Sequence, residues 1–564
     1  MYNIRFIYKL ILRTLIITIF FSALQAKNLD KFDKASFISD YFSGLILLND
    51  NQYSKSYSFF KKLDGLENSH PSYSVKYLHS LVNLGRFNEA FNYSKKLEKT
   101  GLSNYESDLI TGIYYLKNKN YFLANRYFSN LNSYQDKSLL DDYIINSLLN
   151  WSDFSDLSLS AAKKRIDLFD PRFENLKRIQ NIFLHCFFRS SKTELYFEDL
   201  TLNKKIDFSR YNYFHAKHLS NRGKYDEAKM IINSSLKLYP RNLLLNQLKL
   251  DLINGKNRNE FNCENLTDVV AEIFYISANA LSSQNLYKIS NFYLNLAKFL
   301  NKNFYSYDTL LAENFFKINN FDKAKKIYTD IGRNGEAFLW YSAKQNSKIL
   351  IEENKDKKAL KLIKDTFEKL SKKDIYETYD YARFLKNNDK FEESIEAYTS
   401  IIKKINETHP LYPDVTDGRG VSYERIGEWE KAEKDLLASL KAKPDQAYVI
   451  NYLAYSWIEQ GVKIEKSLKM LEKANNLKSN DPYIIDSLGW ALFKLKRYKD
   501  SKLQLQSAVE LMPADPVVND HYGDALWMNG EKLQARYYWK YVLSLKDVED
   551  EMKKRVENKL TFGL

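Results

Sequence analysis

Glycine, proline and cysteine are all scarce in this chain, at 17, 9 and 2 residues out of 564. So few helix breakers exclude long linkers and loop-dominated folds. Two cysteines, Cys186 and Cys263, do not make a disulfide scaffold; both are read as buried core thiols, with a bridge between them as the lesser alternative. Long hydrophobic runs are missing after the first 26 residues, so no further membrane span is expected. Catalytic signatures are missing too. There is no G-x-x-x-x-G-K-[ST], no G-x-G-x-x-G after a strand, no H-E-x-x-H and no G-x-S-x-G. His215 and His218 sit three apart on one predicted helix, but no carboxylate or cysteine is placed by sequence to complete a metal site. The reading is therefore no metal, no cofactor and no enzyme.

The charge is strong but not concentrated. The net is +14, yet residues 413–549 hold 20 Lys and Arg against 21 Asp and Glu. Upstream, lysines alternate with acids over predicted helix exteriors. A nucleic-acid binder gathers its cations on one face or arm, so no nucleic-acid partner is expected.

What is present begins with an export signal. Arg5, Lys9 and Arg13 precede the apolar run Thr14–Leu24, and Gln25-Ala26 offers a cleavage edge. Residues 1–26 read as a signal peptide and the mature chain as periplasmic. The alternative is an inner-membrane anchor over residues 4–24, with the rest facing the periplasm.

The remainder repeats one sentence. Small residues recur at Gly420, Ala454, Gly489 and Gly523, and again at Ala432, Ser467, Ser501 and Ala535. The spacing is 34 or 35 residues, and each unit holds two helical apolar patterns around a polar turn. A pair of short antiparallel helices cannot bury its apolar faces alone, so such units must stack. Where two helices cross closely, a large side chain would hold the backbones apart; Gly, Ala or Ser permits contact.

These residues resemble the tetratricopeptide repeat (TPR) family. Its motif has small residues at positions 8, 20 and 27, an aromatic at 11 or 24 and Pro at 32. Residues 413–446 match with Gly420, Tyr423, Ala432, Leu436, Ser439 and Pro444. The stretches "INYLAYSWIEQG", "IIDSLGWALFKLKRY" and "PVVNDHYGDALWMNG" further resemble exported TPR proteins of Gram-negative bacteria, especially alphaproteobacteria. The resemblance implies an all-α, right-handed superhelical solenoid of antiparallel helix pairs, with one quasi-continuous core and nearest-neighbour contacts.

The frame gives about twelve clear repeats, starting at 37, 71, 105, 209, 271, 305, 340, 375, 413, 447, 482 and 516. Leu78 stands at the first small position of its unit and suggests a looser crossing there. The organisation read from this is N-terminal repeats over 27–138, and degenerate helical repeats over 139–270 with one clear unit at 209–242. Middle repeats follow over 271–412, C-terminal repeats over 413–549 and a capping helix over 550–564. Segments 139–208 and 243–270 keep the frame poorly and read as degenerate repeats or a bend.

In the family, positions 2, 5, 9, 12 and 13 line a concave groove. That places Asp417, Asn451, Asp486 and Asp520 as a ladder of short polar groups, one per repeat. Tyr448, Tyr483, Tyr455, Trp490, Phe493 and Trp527 accompany it. A regular row of polar groups suits an extended polypeptide, and aromatics suit binding hot spots. The expected function is a non-enzymatic interaction scaffold of the bacterial envelope. It would bind a partner protein or peptide in the groove, in association with the membrane or envelope assembly machinery. A polysaccharide-binding or export-associated role, using the groove aromatics, is the alternative. A cell-wall lytic transglycosylase would need a compact catalytic domain after the repeats, and only a short tail follows them.

Overall fold

The computed structural model describes residues 35–564, apart from 136, 202–207 and 547 and the side chain of 155. The export segment therefore lies outside the described residues. Those residues form thirty α-helices and five short 3-10 turns, with no strand among them. The chain is a solenoid of antiparallel helix pairs. Packing divides it into two units, residues 1–362 and 363–564.

The turn inside each pair shows how regular the frame is. Every one of the twelve units has a left-handed residue at its fifteenth position: Asn51, Gly85, Lys119, Gly223, Asn285, Asn319, Asn354, Asp389, Gly427, Gly461, Lys496 and Gly530. Glycine and asparagine adopt that conformation at least cost. The second helix begins two residues later, as at Phe87, Phe321 and Trp429. The unit at 447 carries one more turn residue and a second left-handed position, Lys463.

The crossing of each pair is a size match across sixteen residues. A Cβ on Gly44 would lie 2.5 Å from the Phe60 ring, and one on Gly489 would lie 2.6 Å from Leu505 Cγ. Gly112 meets Phe128, Gly420 meets Leu436 and Gly523 meets Trp539 in the same way. The small residue on the first helix exists because a large one on the second helix needs its space. The second small position adds a hydrogen bond. Ser56 donates to Gly44 O at 2.8 Å, Ser290 to Ala278 O at 2.7 Å, Ser394 to Ala382 O at 2.9 Å and Ser501 to Gly489 O at 2.8 Å. Ser467, in the unit with the longer turn, is buried with no such bond.

In the first unit the poorly framed segments are resolved into elements. Helices Leu139–Asp153 and Leu159–Asp167 make one pair, and Glu174–Phe187 and Thr193–Thr201 make another. Helix Leu243–Ile253 stands without a second helix before an irregular stretch that ends at Leu266. It packs on helix Glu336–Glu352, with Gln247 accepting from the Ala337 amide at 3.1 Å.

Two readings are corrected here. Cys186 and Cys263 are not free core thiols but a disulfide, with Cα atoms 5.7 Å apart. It ties helix Glu174–Phe187 to the irregular stretch, a position whose sequence frame gave no hint of proximity. Nor is the packing of this unit only between neighbouring repeats. Its early repeats meet helices Tyr287–Leu300 and Phe321–Gly332, some two hundred residues later: Phe87 stacks on Phe299 at 4.1 Å, and His79 stacks on Phe292 at 4.4 Å. No helix among the described residues is long and apolar enough to cross a membrane.

Candidate functional site

In the second unit, five helix pairs run from Ile375 to Ser544, and helix Asp550–Phe562 follows. The first helices of the last units start with an aspartate cap before a proline: Asp481 before Pro482 and Asp515 before Pro516. Each cap accepts from a backbone amide of the first turn. The capping role is thus taken by Asp481 and Asp515. Asp486 and Asp520, five residues further on, are left to project from the helix wall.

The ladder residues fall into two states. Asp486 and Asp520 are buried and matched within the chain. His521 Nδ1 lies 3.0 Å from both Asp486 oxygens. Burial pulls the His521 pKa down, but the Asp486 charge and hydrogen bond outweigh it, with Asp520 and Asp524 adding, so the net shift is upward. Asp520 meets Lys559 at 2.7 Å and Arg555 at 3.0 Å, both from the last helix. Lys559 also donates to Asp524 at 2.7 Å.

Asp417 and Asn451 are half-buried and unmatched. Asp417 accepts no hydrogen bond from any described residue, and burial pushes its carboxyl up to about 6 despite the nearby Lys386. Asn451 Oδ1 is buried without a partner. A buried oxygen with no donor is unfavourable by about 1–3 kcal/mol.

The aromatics divide similarly. Trp490 is only 8 % exposed. Its ring is stacked between His521 at 4.0 Å and Phe493 at 4.8 Å, and its Nε1 donates to Glu459 at 2.6 Å. Trp527 packs on Trp539 at 5.3 Å and is covered by Gly563 of the tail. These two indoles are structural, which corrects their reading as open groove faces. Tyr448 and Tyr483 are each 56 % exposed. The Tyr448 hydroxyl donates to Asp481 at 2.9 Å, and Lys478 lies over its ring. Tyr455 is half-buried. Burial pushes its hydroxyl well up, with Glu459 and Asp486 adding. Of the predicted wall residues, Tyr448 and Tyr483 are thus exposed, and Asp417, Asn451, Tyr455 and Phe493 are half-buried.

The histidine pair is not a metal site. His215 lies flat against Phe197 at 4.9 Å, and burial pulls its pKa down to about 4. His218 Nδ1 sits 3.5 Å from Cys186 Sγ and 3.7 Å from Cys263 Sγ. With the two sulfurs joined, no thiolate pair is offered there.

No family model matches the chain. A TPR repeat-containing protein of Pseudomonas aeruginosa is 28 % identical over 144 residues, covering 25 % of this chain and 23 % of that protein. The repeat frame and this curated relative agree. The chain is built of tetratricopeptide-type repeats. The aligned part of this TPR chain spans about a quarter of the length of the curated relative it matches. Among solved structures, a tetratricopeptide repeat protein from Parabacteroides merdae is 13 % identical, with a TM-score of 0.37 over 45 % of this chain and 97 % of that one. A thermophilic TPR protein of Thermus thermophilus is 12 % identical, with a TM-score of 0.29 over 34 % and 100 %. YrrB, described as a TPR protein with an unusual peptide-binding site, is 14 % identical, with a TM-score of 0.28 over 35 % and 97 %.

Proposed function

We propose that this TPR protein is a non-catalytic scaffold of the bacterial envelope. It binds a partner polypeptide on the inner wall of its C-terminal repeats, across helices Tyr412–Arg425, Ala447–Glu459 and Pro482–Lys494. The observation that carries the reading is the split ladder. Equivalent positions in successive repeats hold Asp417, Asn451, Asp486 and Asp520. The last two are matched by the chain's own His521, Arg555 and Lys559. The first two are desolvated and unmatched.

The matched end is an internal template for the unmatched one. A segment that brings an amine or guanidinium to Asp417 and a backbone or side-chain N–H to Asn451 repeats what the last helix does at Asp520. The favoured partner is therefore a basic polypeptide segment, with Tyr455 and Tyr483 giving contact area. The export-like N-terminal residues support an envelope location. A sugar ligand would need open indole faces, and Trp490 and Trp527 do not offer them.

The test is the variant Asn451→Ala with Tyr455→Ala. Partner retention should be lost while helical circular dichroism and the melting profile stay near wild type. Retention equal to wild type would overturn the groove assignment.

A further inference from the structure

The first unit contains a second site, independent of the C-terminal wall. Where its early repeats meet its later ones, a cleft of about 760 Å³ remains between helices Ser72–Asn83, Tyr105–Lys117, Tyr287–Leu300 and Phe321–Gly332. Its apolar wall is built from Phe87, Phe299, Leu311 and Phe315. Four lysines line it: Lys117, Lys298, Lys302 and Lys323.

Only one of those cations is neutralised by a carboxylate, since Lys298 is ion-paired with Asp308. Lys117 Nζ donates to Leu300 O at 2.6 Å, and Lys323 Nζ donates to Asn51 O at 2.5 Å. Lys323 also lies 4.0 Å from the centre of the Tyr53 ring and 5.0 Å from that of Phe315. Neither has an ion pair among the described residues. Asp268 is the acid that acts on Lys117, and its own oxygens are taken by the Asn262 amide and by Asn265. Lys302 is exposed at the mouth and close enough to Lys117 for their charges to repel. Burial pulls Lys323 down to about 8. Lys117 and Lys302 repel each other and Lys323 is desolvated with no carboxylate beside it, so an anion in the cleft would relieve both.

We propose that this cleft binds an organic anion with an apolar body, an alkyl carboxylate or alkyl phosphate. Its head would meet Lys117, Lys302 and Lys323, and its chain would lie on Phe87, Phe299 and Phe315. Lysines suit a head group of either shape because an ammonium acts as a point charge with rotatable donors. The apolar wall selects against bare inorganic anions, and the sign of the lysines selects against cationic amphiphiles.

Isothermal titration of the full chain with laurate and with dodecyl phosphate, below their micelle concentrations, tests this directly. One saturable site is expected for each. Lys302→Glu should weaken binding at least tenfold. Lys302 is exposed and makes no ion pair among the described residues, so this variant keeps its fold. Lys317→Glu, the same charge change on a nearby exposed residue outside the cleft, should leave binding as it is. The absence of saturable binding would overturn the proposal, as would equal losses in the two variants. Equal binding of dodecyltrimethylammonium would overturn the electrostatic part, and saturation by inorganic phosphate alone would overturn the requirement for an apolar body.

Discussion

Leu78 and Ser94 stand in the relation that Gly44 and Phe60 have one repeat earlier, with the sizes exchanged. Both are buried, and the backbones of their two helices approach along less of their length than in neighbouring pairs. In this pair the larger residue stands on the first helix and the smaller on the second. Leu78→Gly should destabilise by about 3–5 kcal/mol through the cavity it leaves and the helix propensity it gives up. Ser94→Phe should cost about 1–3 kcal/mol through crowding. The double variant Leu78→Gly with Ser94→Phe should be more stable than the sum of its single variants. Chemical denaturation of all four chains in this cycle measures the coupling.

The disulfide closes a loop of 77 residues whose two ends lie in segments without a regular repeat. Replacing both cysteines by serine should lower stability by about 2–4 kcal/mol. The loss should appear in the first unit and leave the melting of residues 363–564 unchanged. Mass spectrometry after alkylation under non-reducing conditions should find no free thiol in the protein purified from cells.

Asp417 carries a charge held against burial. Its folded pKa of about 6 lies above the ordinary carboxylate value, so its contribution to stability is present at low pH and fades as pH rises through about 4 to 6. Asp417→Asn should therefore raise stability at pH 7.5 by about 1–2 kcal/mol and leave it unchanged below pH 4. The same variant should weaken binding of a basic peptide.

Lys559 is the reverse case. It is buried between Asp520 and Asp524, so Lys559→Ala leaves the desolvated Asp524 without its lysine and Asp520 with Arg555 alone. A loss of about 3 kcal/mol at pH 7.5 is expected. Burial and Asp520 already push the Asp524 carboxyl up, against the pull of Lys559. The group takes a proton more readily still once the lysine is gone, so the deficit should shrink as pH falls from 7.5 towards 5. Thermal melts at the two pH values read this out.

The repeat was legible because its two causes are local. The small residue and the turn residue recur at a fixed spacing. The structure uses the turn residue in every clear unit, from Asn51 to Gly530, and the small residue in units from Gly44 to Gly523, with Leu78 the exception. The ladder column was legible for the same reason. What could not be read was occupancy. Whether Asp520 faces solvent depends on Lys559, 39 residues later, and whether Trp490 is open depends on His521, which carries no repeat signal. The lysine cleft lay further still from view. It joins Lys117 to Lys302 through a contact between repeats that are not neighbours, and a 34-residue period encodes only neighbours. Cys186 and Cys263 fall in segments where that period fails.

The central claim is that the inner wall at Asp417, Asn451 and Tyr455 is where a partner polypeptide sits. The most direct test places a photo-cross-linking residue at Tyr455 and, separately, at Lys434 on the exposed side of the second helix of a nearby repeat, in cells producing the full chain. The account predicts a discrete cross-linked polypeptide from position 455, lost on Asn451→Ala, and none from position 434. Equal cross-linking from both positions, or none from position 455 while the protein is folded and abundant, would contradict it.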